Sequence, residues 1–213
     1  MKKIIAINGS PRKNGNTATL LKKSLEGAAS VGAETEMIHL IDLSYKGCIS
    51  CYACKLKNTK YVGSCALEDD LTPVLKKAME ADAIVLGSPI YLADVTALMR
   101  AFIERFGFMN VSYSNKNHRH KMPKKNGAFV YTMNVKKSVS ALFFSTYLIN
   151  AGVLKGFDGH TTKLFSHDTY QFNDYTKYDA TNFDEVKKRK VRDTIFPKDC
   201  KKAYKIGIEL VTK

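Results

Sequence analysis

Short apolar runs alternate along this chain with longer stretches in which apolar residues recur every three or four positions. Residues 2–8 read KKIIAIN, a run that stops at Gly9-Ser10-Pro11, as a strand buried on both faces does. Residues 17–30, TATLLKKSLEGAAS, place Leu20, Leu21 and Leu25 on one helical face, with hydroxyl residues near the start to cap free N–H groups. The same reading gives a strand over 36–41, a helix over 71–81, and a third strand over 83–86 that ends at Gly87-Ser88-Pro89. A helix over 95–106 follows, with Leu98, Met99, Phe102 and Ile103 on its apolar side. A fourth strand (128–133), a helix (138–150), a fifth strand (161–165) and a helical region interrupted at Pro197 complete the chain. Glu68-Asp69-Asp70, just before Leu71-Thr72-Pro73, reads as a capped, charge-matched helix start. This alternation predicts an α/β fold, an open parallel sheet with helices on both faces. Such sheets bind ligands at the C-terminal ends of their strands, where the strand order reverses.

Composition narrows the class. The 213 residues, 45% hydrophobic and 25% charged, suit one globular domain over 1–213 that buries a core without staples. No apolar run approaches the roughly 18 to 20 residues of a spanning helix. The opening apolar stretch breaks after about five residues, short of a signal-peptide core. The expectation is therefore a cytoplasmic protein with no membrane partner. The net charge of +14 is uneven, +3 over residues 1–110 and +11 over 111–213. Its basic stretches, such as Lys187-Lys188-Arg189-Lys190, lack the interleaved aromatics of a stacking platform, and no finger or basic zipper is present. We therefore expect no nucleic-acid partner; the same charge serves an anionic cofactor or substrate. The connection over 112–126, with Tyr113, His118, Arg119 and His120, is long for a compact domain and reads as a solvated loop or a functional lid.

The first loop carries the clearest chemistry. Gly9-Ser10-Pro11-Arg12-Lys13-Asn14-Gly15-Asn16-Thr17 lies between a strand and a helix, whose unpaired N–H groups and dipole favour an anion. Ser10, Asn16 and Thr17 add side-chain hydrogen bonds and Arg12 adds charge. Neither a G-x-G-x-x-G nor a G-x-x-x-x-G-K-[ST] pattern is present, so a monophosphate suits the loop better than a dinucleotide or a nucleoside triphosphate.

Four of the five cysteines, Cys48, Cys51, Cys54 and Cys65, fall in one stretch, a cysteine-rich loop insertion over 48–65, with spacings of two, two and ten residues. Clustered cysteines without a secretory context point to metal or redox chemistry ahead of disulfides. The set can complete a [4Fe–4S] cluster or a zinc site, or remain unmetallated. Cys200 stands apart as an ordinary buried thiol, and none of the five histidines has ligand spacing with the cysteines.

Gly9-Ser10-Pro11-Arg12 through Asn16-Thr17 after the first strand, together with Gly87-Ser88-Pro89-Ile90-Tyr91 after the third, resembles the flavodoxin-like NAD(P)H-dependent FMN reductases, and within them the iron-sulfur flavoproteins. The resemblance implies a doubly wound five-stranded parallel sheet of order 2-1-3-4-5. It implies that Ser10, Arg12, Asn16 and Thr17 hold the FMN phosphate, that Ser88, Pro89, Ile90 and Tyr91 run beside the ring, and that the four cysteines hold the cluster. It departs at the last cysteine gap, which is longer here, and at Thr132-Met133-Asn134-Val135, where relatives often carry glycines. The implied activity is FMN-dependent transfer of reducing equivalents from NAD(P)H or a reduced carrier to a small-molecule or protein acceptor. Lys121, Lys124 or Lys125 are candidates for the extra phosphate of NADPH. The implied assembly is a homodimer or homotetramer. The alternative is a flavodoxin-type electron shuttle with no small substrate of its own.

Overall fold

The computed structural model describes residues 1–114 and 124–213. Five parallel strands form the sheet: β1 (Lys3–Asn8), β2 (Glu34–His39), β3 (Ala83–Tyr91), β5 (Lys125–Thr132) and β6 (Asp158–Ser166), in the order β2-β1-β3-β5-β6. This is the expected 2-1-3-4-5 arrangement, with one addition. A two-residue strand, β4 (Asp94–Val95), pairs antiparallel with the end of β3. The third strand therefore runs five residues past its expected end, so that Gly87-Ser88-Pro89-Ile90-Tyr91 is strand and hairpin rather than loop. Among the described residues there are seven α-helices, α1 (Asn16–Ala29), α2 (Leu71–Glu80), α3 (Ala97–Asn110), α4 (Lys137–Ser140) and α5 (Phe144–Ala151) between strands, and α6 (Glu185–Thr194) and α7 (Phe196–Thr212) after the last strand.

The two-residue period of the strands builds two cores. Ile5, Ile7, Ile84, Leu86, Phe129 and Tyr131 face α2, α3 and α5. Their neighbours Ile4, Ala6, Ala83, Val85, Ala128 and Val130 face α1 and α7. All twelve side chains are fully buried, and burying each Ile, Leu, Val or Phe contributes about 1.5–3 kcal/mol. α1 and α7 cross on glycine: a Cβ on Gly27 would lie 2.0 Å from the Tyr204 carbonyl oxygen, and one on Gly207 would lie 1.8 Å from that of Ser24. Pro197 does not interrupt the last helix. It sits in the first turn of α7, where a missing N–H costs nothing, and the break falls at Ile195.

The region expected as one helix over 138–150 is a helical segment of another kind. Lys137–Phe157 spans 21 residues, and its most apolar 18-residue stretch has a mean hydropathy of 1.2, long and apolar enough to cross a membrane by length and composition alone. This corrects the expectation that no run approaches that length. In the fold the segment is α4, α5 and two 3₁₀ stretches. It inserts Tyr147, Ala151, Leu154 and Phe157 into the core and leaves Leu142 and Ile149 exposed. Of the 112–126 connection, residues 115–123 lie outside the described residues, so the lid reading and the place of Lys121 fall there too. Lys124 is exposed. Lys125 is buried at the start of β5, where its Nζ donates to the carbonyls of Ala78 (2.6 Å) and Met79 (2.7 Å) in the last turn of α2. That is the N-terminal end of its strand, so Lys125 caps a helix away from the strand ends where a nucleotide would bind.

Candidate functional site

At the C-terminal ends of β1, β3 and β5 a cleft of about 1050 Å³ opens. It lies where the order reverses, because β1 leads through α1 outward to β2 whereas β3 lies on the other side of β1. Ser10, Arg12, Asn16 and Thr17 line one part of it, and Pro89, Ile90 and Tyr91 another. Two segments about 80 residues apart in sequence thus share one cavity, as expected of them.

Each side chain has a definite setting. The Asn8 carboxamide accepts from the Ser10 N–H at 3.0 Å, and the Ser10 hydroxyl accepts from the Arg12 N–H at 3.1 Å, so β1 passes into a tight polar turn. Gly15 precedes α1 in an extended conformation and offers no side-chain cap, leaving the helix N-terminus open toward the cleft. The Thr17 and Thr132 hydroxyls are 2.8 Å apart, tying the first turn of α1 to the end of β5. Arg12 donates to the Gln171 carbonyl at 2.7 Å, and Asn16 donates to the Tyr170 carbonyl at 3.0 Å. Tyr91 is half exposed beside a turn in which Leu92 and Ala93 have φ of 47° and 70°, left-handed values that cost non-glycine residues roughly 1 kcal/mol or more each.

Ser88 is the exception among the expected residues. It is fully buried; its hydroxyl accepts from the Thr96 N–H at 3.1 Å and donates to the Pro89 carbonyl at 2.8 Å, and it does not border the cleft. A hydroxyl within a strand faces one side of the sheet, and here that side is occupied by the start of α3. Asp69 and Asp70 also depart from the expected capped helix start: Asp70 stands at the N-cap of α2 but its side chain makes no cap hydrogen bond there. Asp69 accepts from the Leu71 N–H at 3.1 Å but also takes two hydrogen bonds from Arg105, and Asp70 accepts from the Ser44 N–H at 2.8 Å.

The four cysteines also meet. Cys48, Cys51, Cys54 and Cys65 border one cavity of about 20 Å³, walled by Ile49, Tyr52, Ala66, Leu67, Phe108 and Met109. Left-handed residues at Ser50 (φ 55°) and Tyr52 (φ 56°) flank Cys51 and turn the loop on itself. Burial pushes the Cys54 thiol up from its ordinary value. Among the described residues no three His, Cys, Asp or Glu side chains stand where they could hold a metal ion. The four thiols thus share one apolar cavity and are thiolate donors of the type that iron and zinc both take, without standing around a single metal ion in this structure.

The profile of the family described as NADPH-dependent FMN reductase matches residues 2–144. The chain belongs to this family. It is similar to an iron-sulfur flavoprotein of Methanocaldococcus jannaschii, 39% identical over 115 residues, which covers 54% of this chain and 57% of the relative. It is also similar to an iron-sulfur flavoprotein of Archaeoglobus fulgidus, 46% identical over 103 residues, 48% of each chain. The chain spans about half the length of the curated relatives it matches. Among solved structures, an NAD(P)H:quinone oxidoreductase from Methanothermobacter marburgensis aligns over 98% of both chains with a TM-score of 0.70 at 13% identity. An azoreductase from Bacillus anthracis covers 98% of this chain and 100% of its own with a TM-score of 0.67 at 14% identity. At such identities these likenesses establish the flavodoxin-like fold alone.

Beyond the matched portion, this FMN reductase family member adds residues to the cleft that the sequence reading did not single out. The segment after β6 brings Thr169, Tyr170, Gln171 and Phe172, and α6 brings Arg189 and Arg192. Arg192 donates to the Asn16 Oδ1 at 2.8 Å and lies over the Phe196 ring, while Arg189 is paired with Glu185 at 2.7 Å. Lys188, buried, holds Asn134 and Asp168 with its Nζ, locking the loops after β5 and β6 against α6. Through that bracing Thr132, Met133 and Asn134 border the cleft although they are not glycines. In the sequence Lys188 and Arg189 figured only within a basic stretch and Thr132-Met133-Asn134 only as a loop lacking glycines, while Arg192 and residues 169–172 carried no signal of their own.

Proposed function

We propose that the protein binds FMN noncovalently in the cleft and works as an oxidoreductase of the iron-sulfur flavoprotein branch, passing reducing equivalents from NAD(P)H or a reduced carrier to a small-molecule or protein acceptor. The observation that carries this reading is that the phosphate-type loop and the Pro89-Ile90-Tyr91 strand end border the same cleft at the reversal of strand order. When bound, FMN supplies a ring that accepts a hydride and releases one or two electrons. The residues of the chain bind and orient it. The α1 N-terminus, Ser10, Thr17 and the Arg12 and Arg192 guanidinium groups would hold the phosphate. Pro89, Ile90 and Tyr91 would give the ring an apolar wall. Tyr170, Phe172 and Tyr178, with Phe172 stacked on Tyr178 at 4.1 Å, line the cleft and would exclude water from the bound ring. Cys48, Cys51, Cys54 and Cys65 would hold a [4Fe–4S] cluster, which supplies a one-electron route.

The chain would assemble as a homodimer or homotetramer in the cytoplasm. The experiment that tests the activity mixes FMN-loaded protein with NADH or NADPH without oxygen and follows the flavin absorbance. Bleaching by either nucleotide supports the reading. Bleaching by reduced ferredoxin alone would make the protein a shuttle instead.

A further inference from the structure

Arg105, on α3, has a side chain only 1% exposed, and its guanidinium reaches both ends of the cysteine loop. One edge donates to the Lys46 carbonyl at 3.3 Å, just before Cys48, and to the Leu67 carbonyl at 3.2 Å, just after Cys65. Two bonds of 2.8 and 2.6 Å go to the Asp69 carboxylate, and Nε donates to the Cys65 Sγ at 3.3 Å. Every arm of the group is therefore spent within a single loop. The rest of α3 supports the same task. Glu104 accepts from the Cys48 N–H at 3.3 Å, and Lys55 donates to the carbonyls of Phe108 and Val111 at the far end of the helix.

A buried guanidinium is costly unless its charge and its donors are met. Asp69 meets the charge, yet the fork is turned so that one donor faces a sulfur instead of another oxygen. A neutral thiol is a weak acceptor, and a metal-bound thiolate is a good one. Cys65 is also the cysteine set apart by ten residues from its nearest partner, the one that most needs an external hold.

We propose that Arg105 is a positioning residue that keeps Cys65 in the ligand set of an iron-sulfur cluster, and that its Nε–H···Sγ bond raises the reduction potential of that cluster. The inference rests on the cluster reading above. A donor on a ligand sulfur stabilises the more negative, reduced state, so removing it lowers the potential.

The test reconstitutes the full chain anaerobically with iron, sulfide and FMN, then measures iron, FMN, iron loss to a chelator and the cluster potential. Arg105→Lys keeps a charge beside Asp69 but loses the fork. It should retain FMN, lose iron about tenfold faster, and show a potential lower by about 59 mV, a tenfold shift in a one-electron equilibrium. Arg105→Met combined with Asp69→Leu removes the buried pair as a unit, which guards against unfolding by a stranded charge. It should keep FMN and fail to hold iron. A wild type with a full cluster whose variants match it in iron retention and potential overturns this inference alone. A wild type that binds FMN but takes up no iron overturns the cluster reading and this inference together.

Discussion

Asp94 closes the turn that carries Tyr91. Its carboxylate accepts from the Asn150 side chain at 2.6 Å, from its neighbour's N–H at Val95 at 2.7 Å, and from Arg100, which also donates to Asn150. Burial works to raise its pKa, but the hydrogen bonds from Asn150, Val95 and Arg100 outweigh it and hold the carboxyl below the usual carboxylate range. With the folded value below the unfolded one of about 3.9, the stabilisation is present above about pH 4 and is lost as pH falls through the lower folded value. Asp94→Asn should thus be less stable than wild type at pH 6, and the gap should narrow as the pH is taken below about 4 in urea unfolding of the metal-free protein; a gap that does not change with pH would contradict this. At the same scale, the place of Ser10, Arg12, Asn16 and Thr17 at the strand-end cleft was legible because a strand, a small polar loop and a helix start are contiguous in sequence. The place of the Ser88 hydroxyl away from the cleft was not legible because the sequence does not tell which face of the sheet it meets. Arg192 was illegible because it reaches Asn16 from 176 positions away.

Among the elements, α7 depends on its contact with α1. Any side chain at Gly207 would meet the backbone of α1, so the helices must part. Gly207→Ala should destabilise by about 2 kcal/mol or more in urea unfolding, overpacking outweighing the roughly 1 kcal/mol of helix propensity gained. Gly152→Ala, where a Cβ meets nothing within 4 Å, should be neutral or stabilising. Equal effects at the two positions would contradict the close crossing. The strands and the amphipathic helices α1, α2 and α3 were readable because their apolar periods are those of the local backbone, whereas α7 was expected to break at the proline that in fact sits in its first turn. The extension of β3 into a hairpin was not, because Gly87-Ser88-Pro89 carries the signal of a loop while Pro89 pairs in register with Thr132. The broken character of 137–157 escaped for another reason: Ser138, Ser140, Ser145, Thr146 and Asn150 interrupt its apolar residues without marking where one helical turn gives way to the next.

For the whole molecule, the exposed side of α4 and α5 is the feature that a single chain leaves unsatisfied. Leu142 is 78% and Ile149 73% exposed, with Phe144 and Leu148 half covered, and no charged residue lies between Lys137 and Lys155. The homo-oligomer proposed above would bury this charge-free stretch against a second copy of the chain. Light scattering should give the wild type at least twice the mass of one chain, and Leu142→Asp with Ile149→Asp should reduce it to one; an unchanged mass would contradict this interface.

The central claim is that the cleft takes a flavin held by its phosphate. Titrating flavin-free protein with FMN and with riboflavin, which lacks the phosphate, while following flavin fluorescence, tests this most directly. The account predicts one FMN per chain and riboflavin bound about 100-fold more weakly, a difference of about 2.7 kcal/mol. Equal affinity for the two flavins, or no binding of FMN, would contradict it.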